Sequence, residues 1–324
     1  MRYPCNNVIM TSPSRKNLAI LPVLCSLGWG CLSSPAWAQS LSASIVVETF
    51  SAGRDPQHLI SDGENIWVTN TEMDTVTKLR ASDGAKVGVF DVGEGPGYLT
   101  FDGANVWISN FASGTVSKLR ASDGSTLGTF DIAASAAGIA WDGANIWVAN
   151  FDRGSVTKLR GSDGSILGVF AAGDRPLDVL FDGANVWIGL EGGEGVTKLR
   201  ASDGGLVGKV QTGNFPNALA FDGTKLWVAN YYDGNITTIS ASNGKVQGSF
   251  GVGYPPAGAA FDGANIWVTS AKANVVVVRR ARDGAFKGAI SVGREPSGII
   301  YDGNSIWVAN TLNGTVSKIT RGAP

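Results

Sequence analysis

A nine-residue stretch, DGANIWVAN from Asp142 to Asn150, returns in near-copy at Asp62, Asp102, Asp182, Asp222, Asp262 and Asp302, always with a spacing of 40 residues. Each copy opens on Asp-Gly, a pair suited to tight turns because Gly takes the positive φ they require. A short β-branched or aromatic run follows, centred on one Trp per copy: Trp67, Trp107, Trp147, Trp187, Trp227, Trp267 and Trp307. Runs of this length bounded by Gly, Asn and Asp read as strands. A period of about 40 with several strands in each unit is the signature of a propeller. The predicted fold is therefore all-β, a seven-bladed β-propeller of four-stranded antiparallel blades.

Within the first unit the strands fall at 57–61, 65–70, 75–80 and 86–92, with turns at 62–64 and 82–84 and a loop at 71–74. The second strand is apolar on both faces, as expected of a sheet sandwiched between two others. Linkers of the form GxxP join the units, for example Gly53 to Pro56 and Gly293 to Pro296. Proline fixes φ and withholds an N–H where a strand begins, so these are stiff connections. Residues 133–137 (AASAA) break the pattern, and that linker is expected to be looser. Residues 45–50 align with a fourth strand, whereas the chain ends shortly after a third strand at 315–320. The N-terminal strand is thus predicted to complete the last blade, a three-plus-one closure that leaves only short protected edges.

The first 38 residues are of different material. Arg15 and Lys16 precede an apolar stretch from Leu18 to Leu32, and Ala36-Trp37-Ala38 supplies the small residues of a cleavage site before Gln39. Residues 1–38 are read as a secretory signal and 39–324 as the propeller, which places the protein in the periplasm or outside the cell. An uncleaved anchor is the alternative, although the run is short for a span and broken by Pro22. A lipoprotein signal at Gly30-Cys31 is a further one, with Trp29 where a small residue is expected. All three cysteines, Cys5, Cys25 and Cys31, lie in this segment, so the mature chain has no disulfide staple. Cleavage removes Arg2, Arg15 and Lys16 of the 26 bases and none of the 27 acids, giving a net charge of −4. That balance argues against nucleic acid as a partner. No membrane-spanning segment is expected in the mature chain, and a monomer is expected.

Units such as GDRPLDVLFDGANVWIGL and GREPSGIIYDGNSIWVANTLNGTVSKI resemble YVTN-type β-propeller repeats, and are similar to those of the streptogramin (virginiamycin B) lyase superfamily and, more distantly, to NHL repeats. The matching residues are those of turns and core, so the resemblance implies fold and leaves function open. It implies, for the lyases, a His base with a carboxylate and Mg²⁺ contributed by late blades. Here the late blades offer Tyr254, Lys272, Arg294 and Glu295 and no His, so lyase activity is not carried over.

The repeats diverge where the linkers and the loops after second strands share one face around the channel. Linkers bring Arg54, Asp55, Gln57 and His58; Glu94 and Tyr98; Asp174, Arg175 and Asp178; Asn214, Phe215 and Asn217; Tyr254; and Arg294 with Glu295. The facing loops bring Glu72 and Asp74; Phe111; Phe151, Asp152 and Arg153; Glu191 and Glu194; Tyr231, Tyr232 and Asp233; and Lys272. Aromatics mixed with both signs of charge on a rigid ring suit a peptide, protein or cell-envelope ligand. Ordinary solvated loops are the competing reading.

His58 is the only histidine, and its column holds Tyr98 and Asp178 in other blades, which places all three near the channel mouth. Catalytic candidates are His58, with Asp178 or Glu295 as partner carboxylates. One His and no mature Cys exclude a histidine- or thiolate-based zinc centre, and no metal residues are assigned. Mg²⁺ or Ca²⁺ on carboxylates remains open. On the opposite face the Asp of each Asp-Gly is read as an acceptor for its own turn rather than a ring for a cation, and outer Asp83, Asp123, Asp163, Asp203 and Asp283 likewise. Lys78 and Arg80, with their repeats Lys118/Arg120, Lys158/Arg160 and Lys198/Arg200, are read as long stems with solvated charges at blade margins.

Overall fold

The computed structural model describes residues 45–193, 195–253 and 255–321. The reading of residues 1–38 as a signal, and the candidates Glu194 and Tyr254, lie outside the described residues. Seven four-stranded antiparallel sheets are arranged in a ring, and six are simple meanders. Blade 1 comprises Pro56–Ser61, Asn65–Asn70, Thr75–Arg80 and Lys86–Asp91, and blades 2 to 6 repeat that plan through Ser291. Blade 7 takes Pro296–Tyr301, Ile306–Asn310 and Thr315–Arg321 from the end of the chain and Ile45–Ser51 from its start. The register runs from Ile45 opposite Arg321 to Ser51 opposite Thr315.

The Trp at the centre of each repeat is essentially buried, the most exposed at 3%. Trp107 of blade 2 packs with Ile139, Ile146 and Val148 of blade 3. Trp307 of blade 7 packs in the same way with Leu59, Ile66 and Leu79 of blade 1, so the core runs across the closure without a seam. Phe90, on the fourth strand of blade 1, lies 5.4 Å from Trp67 and against Gly124 of blade 2, where any Cβ would fall 2.0 Å from the ring. Phe50 does the same over Gly84 and stands 5.7 Å from Trp307. The N-terminal strand therefore occupies a true fourth-strand place.

Two elements differ from the sequence reading. The linker at 133–137 is tied down like its neighbours: Phe151 N–H donates to the Ser135 carbonyl at 3.0 Å, and Ser135 N–H to Asp152 Oδ1 at 3.1 Å. These bonds need no proline, so the sequence break did not loosen the segment. The recurring lysines are not solvated. Lys78 is 5% exposed, and its Nζ donates to the Ala121 carbonyl of the next blade at 2.6 Å while lying 5.0 Å from the Trp67 ring centre. Lys118, Lys158, Lys198 and Lys318 make the same cross-blade bond, the last to Ala81 across the closure. A buried ammonium needs polar partners, and the carbonyl at the end of a neighbouring strand supplies one while the Trp ring face lies beside it. Where the column lacks Lys, Lys225 reaches the Ala281 carbonyl instead, and Arg321 reaches Asp262 at 3.0 Å.

The Asp-Gly face is a set of closed turns, as expected, with one addition. Asp142 Oδ1 accepts from the N–H groups of Ala144 and Asn145, while Oδ2 accepts the Trp147 indole N–H at 2.8 Å. The same Asp–Trp bond occurs in every blade at 2.7–2.8 Å. Burial works to raise the Asp142 carboxyl, but the bonds from Trp147, Ala144 and Asn145 outweigh it and hold the group below the usual range. Outer Asp163 is held at about 2 by Ser165 and Arg160.

Candidate functional site

Seven repeated bonds fix the backbone of the linker-loop face. In each blade the first N–H after the second strand donates to the carbonyl of the linker residue before the first strand; Thr71 to Asp55, Glu191 to Arg175 and Tyr231 to Phe215 are examples. That linker residue takes a left-handed conformation in five blades: Asp55 (φ 54), Gly95 (φ 64), Arg175 (φ 47), Phe215 (φ 59) and Glu295 (φ 53). Only one of the five is Gly. A side chain in this region carries strain of roughly 1–3 kcal/mol, tolerated where the surroundings over-determine it. A constant frame thus presents an acid, a cation, an aromatic and a second acid at equivalent places.

The exposed cations Arg54, Arg153, Arg175, Lys272 and Arg294 stand around the rim. Aromatics of the same loops and linkers form two groups. Phe111 and Phe151 meet edge to face at 5.4 Å. Phe215, Tyr231 and Tyr232 form a trio with centroids 5.1–5.2 Å apart, and Tyr232 is 59% exposed. Tyr232 was grouped with Tyr231 in the sequence but not singled out, and its exposure is what marks it. Arg175 lies 3.5 Å from Glu191. Asp55 accepts from Gln57 and lies near Glu72 and Glu295; its pKa is raised by burial first and by those two acids after it. Glu295 therefore belongs to the junction of blades 7 and 1 with Asp55.

The channel column brings His58 and Tyr98 together as a stacked pair, centroids 3.7 Å apart and planes at 26°. Burial lowers His58 to about 4, so its ring is neutral at pH 7. Tyr98 is pushed well above its ordinary value by burial, and then by the charges of Asp178 and Glu191. Burial raises Asp178 to about 7, against two bonds that favour its charged form, from Val179 N–H to Oδ1 and Leu219 N–H to Oδ2, each 2.8 Å. Asp178 is thereby also a tie between blades 4 and 5. The rest of the column is small because the inner strands nearly touch: a Cβ on Gly138 would lie 2.4 Å from the Leu177 carbonyl oxygen, and one on Gly298 2.5 Å from that of Gln57.

Among the described residues no group of three or more His, Cys, Asp or Glu side chains is placed to hold a metal ion. Nor, among them, is any helix long and apolar enough to cross a membrane.

No protein-family model matches the chain, and no curated protein does. Solved structures do. A streptogramin B lyase superposes with a TM-score of 0.74 at 19% identity, covering 89% of this chain and 100% of that one. A Kuenenia stuttgartiensis hydrazine synthase superposes with a TM-score of 0.73 at 19% identity, covering 84% of this chain and 96% of that one. At such identity the likeness is one of fold. The chain is a seven-bladed β-propeller with a streptogramin-lyase-like fold.

Proposed function

We propose that the protein is an exported binding propeller that engages a peptide, protein or cell-envelope ligand on its linker-loop face. The observation that carries this reading is the trio Phe215, Tyr231 and Tyr232: an aromatic residue held in left-handed backbone at φ 59, with a neighbouring Tyr left 59% exposed. Strain and exposed ring area both oppose stability, and a ligand contact is the gain that offsets them. Arg175 and Arg153 on the same rim suit carboxylates beside an apolar or aromatic group. The test is a displayed random-peptide library selected on the purified propeller. Enrichment of peptides combining aromatic and acidic residues, lost with Tyr232→Ala, supports the reading; enrichment unaffected by that variant refutes it.

A second reading, a lyase or hydrolase, draws on the raised Asp178 carboxyl beside Tyr98 and the neutral His58, since titratable groups pushed in opposite directions suit acid–base work. No step is routed through a metal, since among the described residues no group of three or more His, Cys, Asp or Glu could hold one. Ring opening of a streptogramin B-type depsipeptide, abolished by Asp178→Asn, would favour this reading; no turnover with or without Mg²⁺ removes it.

A further inference from the structure

The Asp-Gly face repeats almost unchanged around the ring, so its junctions serve as references for one another. The junction of blades 5 and 6 departs from the rest. Lys225 stands where four of the preceding blades have Asn, Asn65 in blade 1 being the first. Arg282 replaces a Ser found in blades 1 to 5, Ser82 in blade 1. Lys287 replaces an uncharged residue, Val87 in blade 1 and Leu127 in blade 2. With Arg280 these side chains line an open cavity of about 490 Å³ that has Phe261 in its wall.

The charged groups of the lining are mostly cationic. Arg280 is held by Asp283 through Nε to Oδ1 and a second nitrogen to Oδ2, both 2.9 Å. Arg282 is 3.5 Å from the same carboxylate, and its side chain is 75% exposed. Lys225 gives two of its three donors to the carbonyls of Ala281 and Arg282, at 3.0 and 3.2 Å. Asp222, the acid in the wall, is already filled by its own turn and by the Trp227 indole. Four cationic side chains and one acid, Asp222, line the cavity, with Asp283 beside it, in a chain whose total charge is −1. A concave site with more positive than negative groups concentrates field lines.

We infer that the cavity between blades 5 and 6 binds a small oxyanion with two or more negative charges, as a phosphate ester or a polycarboxylate presents. Paired guanidinium and ammonium groups around one cavity match such an anion, and Phe261 supplies an apolar wall for the body that bears it. This site lies on the face opposite the proposed ligand face and stands independently of it.

The test is calorimetric titration of inorganic pyrophosphate, citrate and acetate into the purified propeller at ionic strength on the order of 10 mM, where exposed charges act over about 30 Å. Pyrophosphate or citrate should bind at one site per chain, and whichever is tighter identifies the anion class. The double variant Arg282→Ser/Lys287→Leu restores the residues other blades carry and so keeps the fold; it should weaken binding at least about tenfold. Arg120→Ser, a charge loss on an equivalent turn of blade 2, should leave affinity unchanged. Absence of binding, acetate binding as tightly as pyrophosphate, or equal weakening by Arg120→Ser would each overturn the inference.

Discussion

Replacing Lys158 by Met asks whether the cross-blade lysines hold the ring together. The Lys158 Nζ donates to the Ala201 carbonyl of blade 4 at 2.7 Å, lies 4.9 Å from the Trp147 ring centre and 3.7 Å from Asp142 Oδ2, and the side chain is buried. Met fills nearly the same volume without the charge. A lost hydrogen bond from a charged donor costs about 1.5–3 kcal/mol, and the abandoned carbonyl adds to that if water does not reach it. The lost cation–π contact adds roughly 0.5–2 kcal/mol. Against these stands the desolvation of a buried ammonium, which amounts to several kcal/mol and is relieved in the variant. The bonds are short and the partner carbonyl is fixed at a strand end, so we expect a net loss of about 2 kcal/mol. Urea unfolding should show a lower midpoint with an unchanged slope. Arg160→Met, which breaks an exposed pair with Asp163 at 3.3 Å, should leave the midpoint unchanged. A Lys158→Met variant as stable as the parent, or more so, would refute the bracing argument.

Phe215→Gly should keep stability within about 1 kcal/mol of the parent, relief of the φ 59 conformation offsetting the lost contacts with Tyr231 and Tyr232, while losing ligand binding; retained binding, or a loss above about 3 kcal/mol, contradicts the strain argument. Gly138→Ala should cost about 1–3 kcal/mol in chemical denaturation, because its Cβ meets a carbonyl oxygen 2.4 Å away, whereas Gly97→Ala, with open space at Cβ, should be near neutral. Asp178 has a folded pKa of about 7 against an ordinary 3.8, so its contribution is present below pH 4 and is lost as pH rises through 7. His58 has the opposite sense: its contribution is present above pH 6.5 and is lost as pH falls through 4. Stability measured against pH should therefore decline more steeply between pH 4 and 7 in the parent than in Asp178→Asn, and an identical slope would remove the assignment.

The architecture was legible because turn and core chemistry repeats every 40 residues. Asp142 and Trp147 sit five apart in every copy, and the same interval brings the carboxylate to the indole. The three-plus-one closure was legible from the alignment of Ile45 to Phe50 with later fourth strands, and Phe50 indeed fills the place that Phe90 fills in blade 1. The lysines were misread because a Lys two residues from an Arg on a strand gives no local sign of which one is covered; the next blade, 43 residues on, decides it. The pairing of His58 with Tyr98 was visible only as a shared column, since stacking depends on how closely the inner strands converge. The left-handed residues before Pro were not legible either, because Asp55, Arg175, Phe215 and Glu295 have no common chemistry and their shared conformation is imposed by the linker-to-loop bond. Nor was the cavity between blades 5 and 6 singled out, although Arg282 and Lys287 interrupt uncharged columns and so carried the signal.

Every placement on both faces depends on a ring latched by its own first strand, and amide hydrogen exchange read by mass spectrometry tests that latch directly. Peptides covering 45–51 should exchange as slowly as those covering 315–321, since the two strands pair along their whole length and should open only when the ring unfolds. Rapid exchange of 45–51 beside a protected 315–321 would contradict the closure, and with it the assignment of blade 7 and its junction with blade 1.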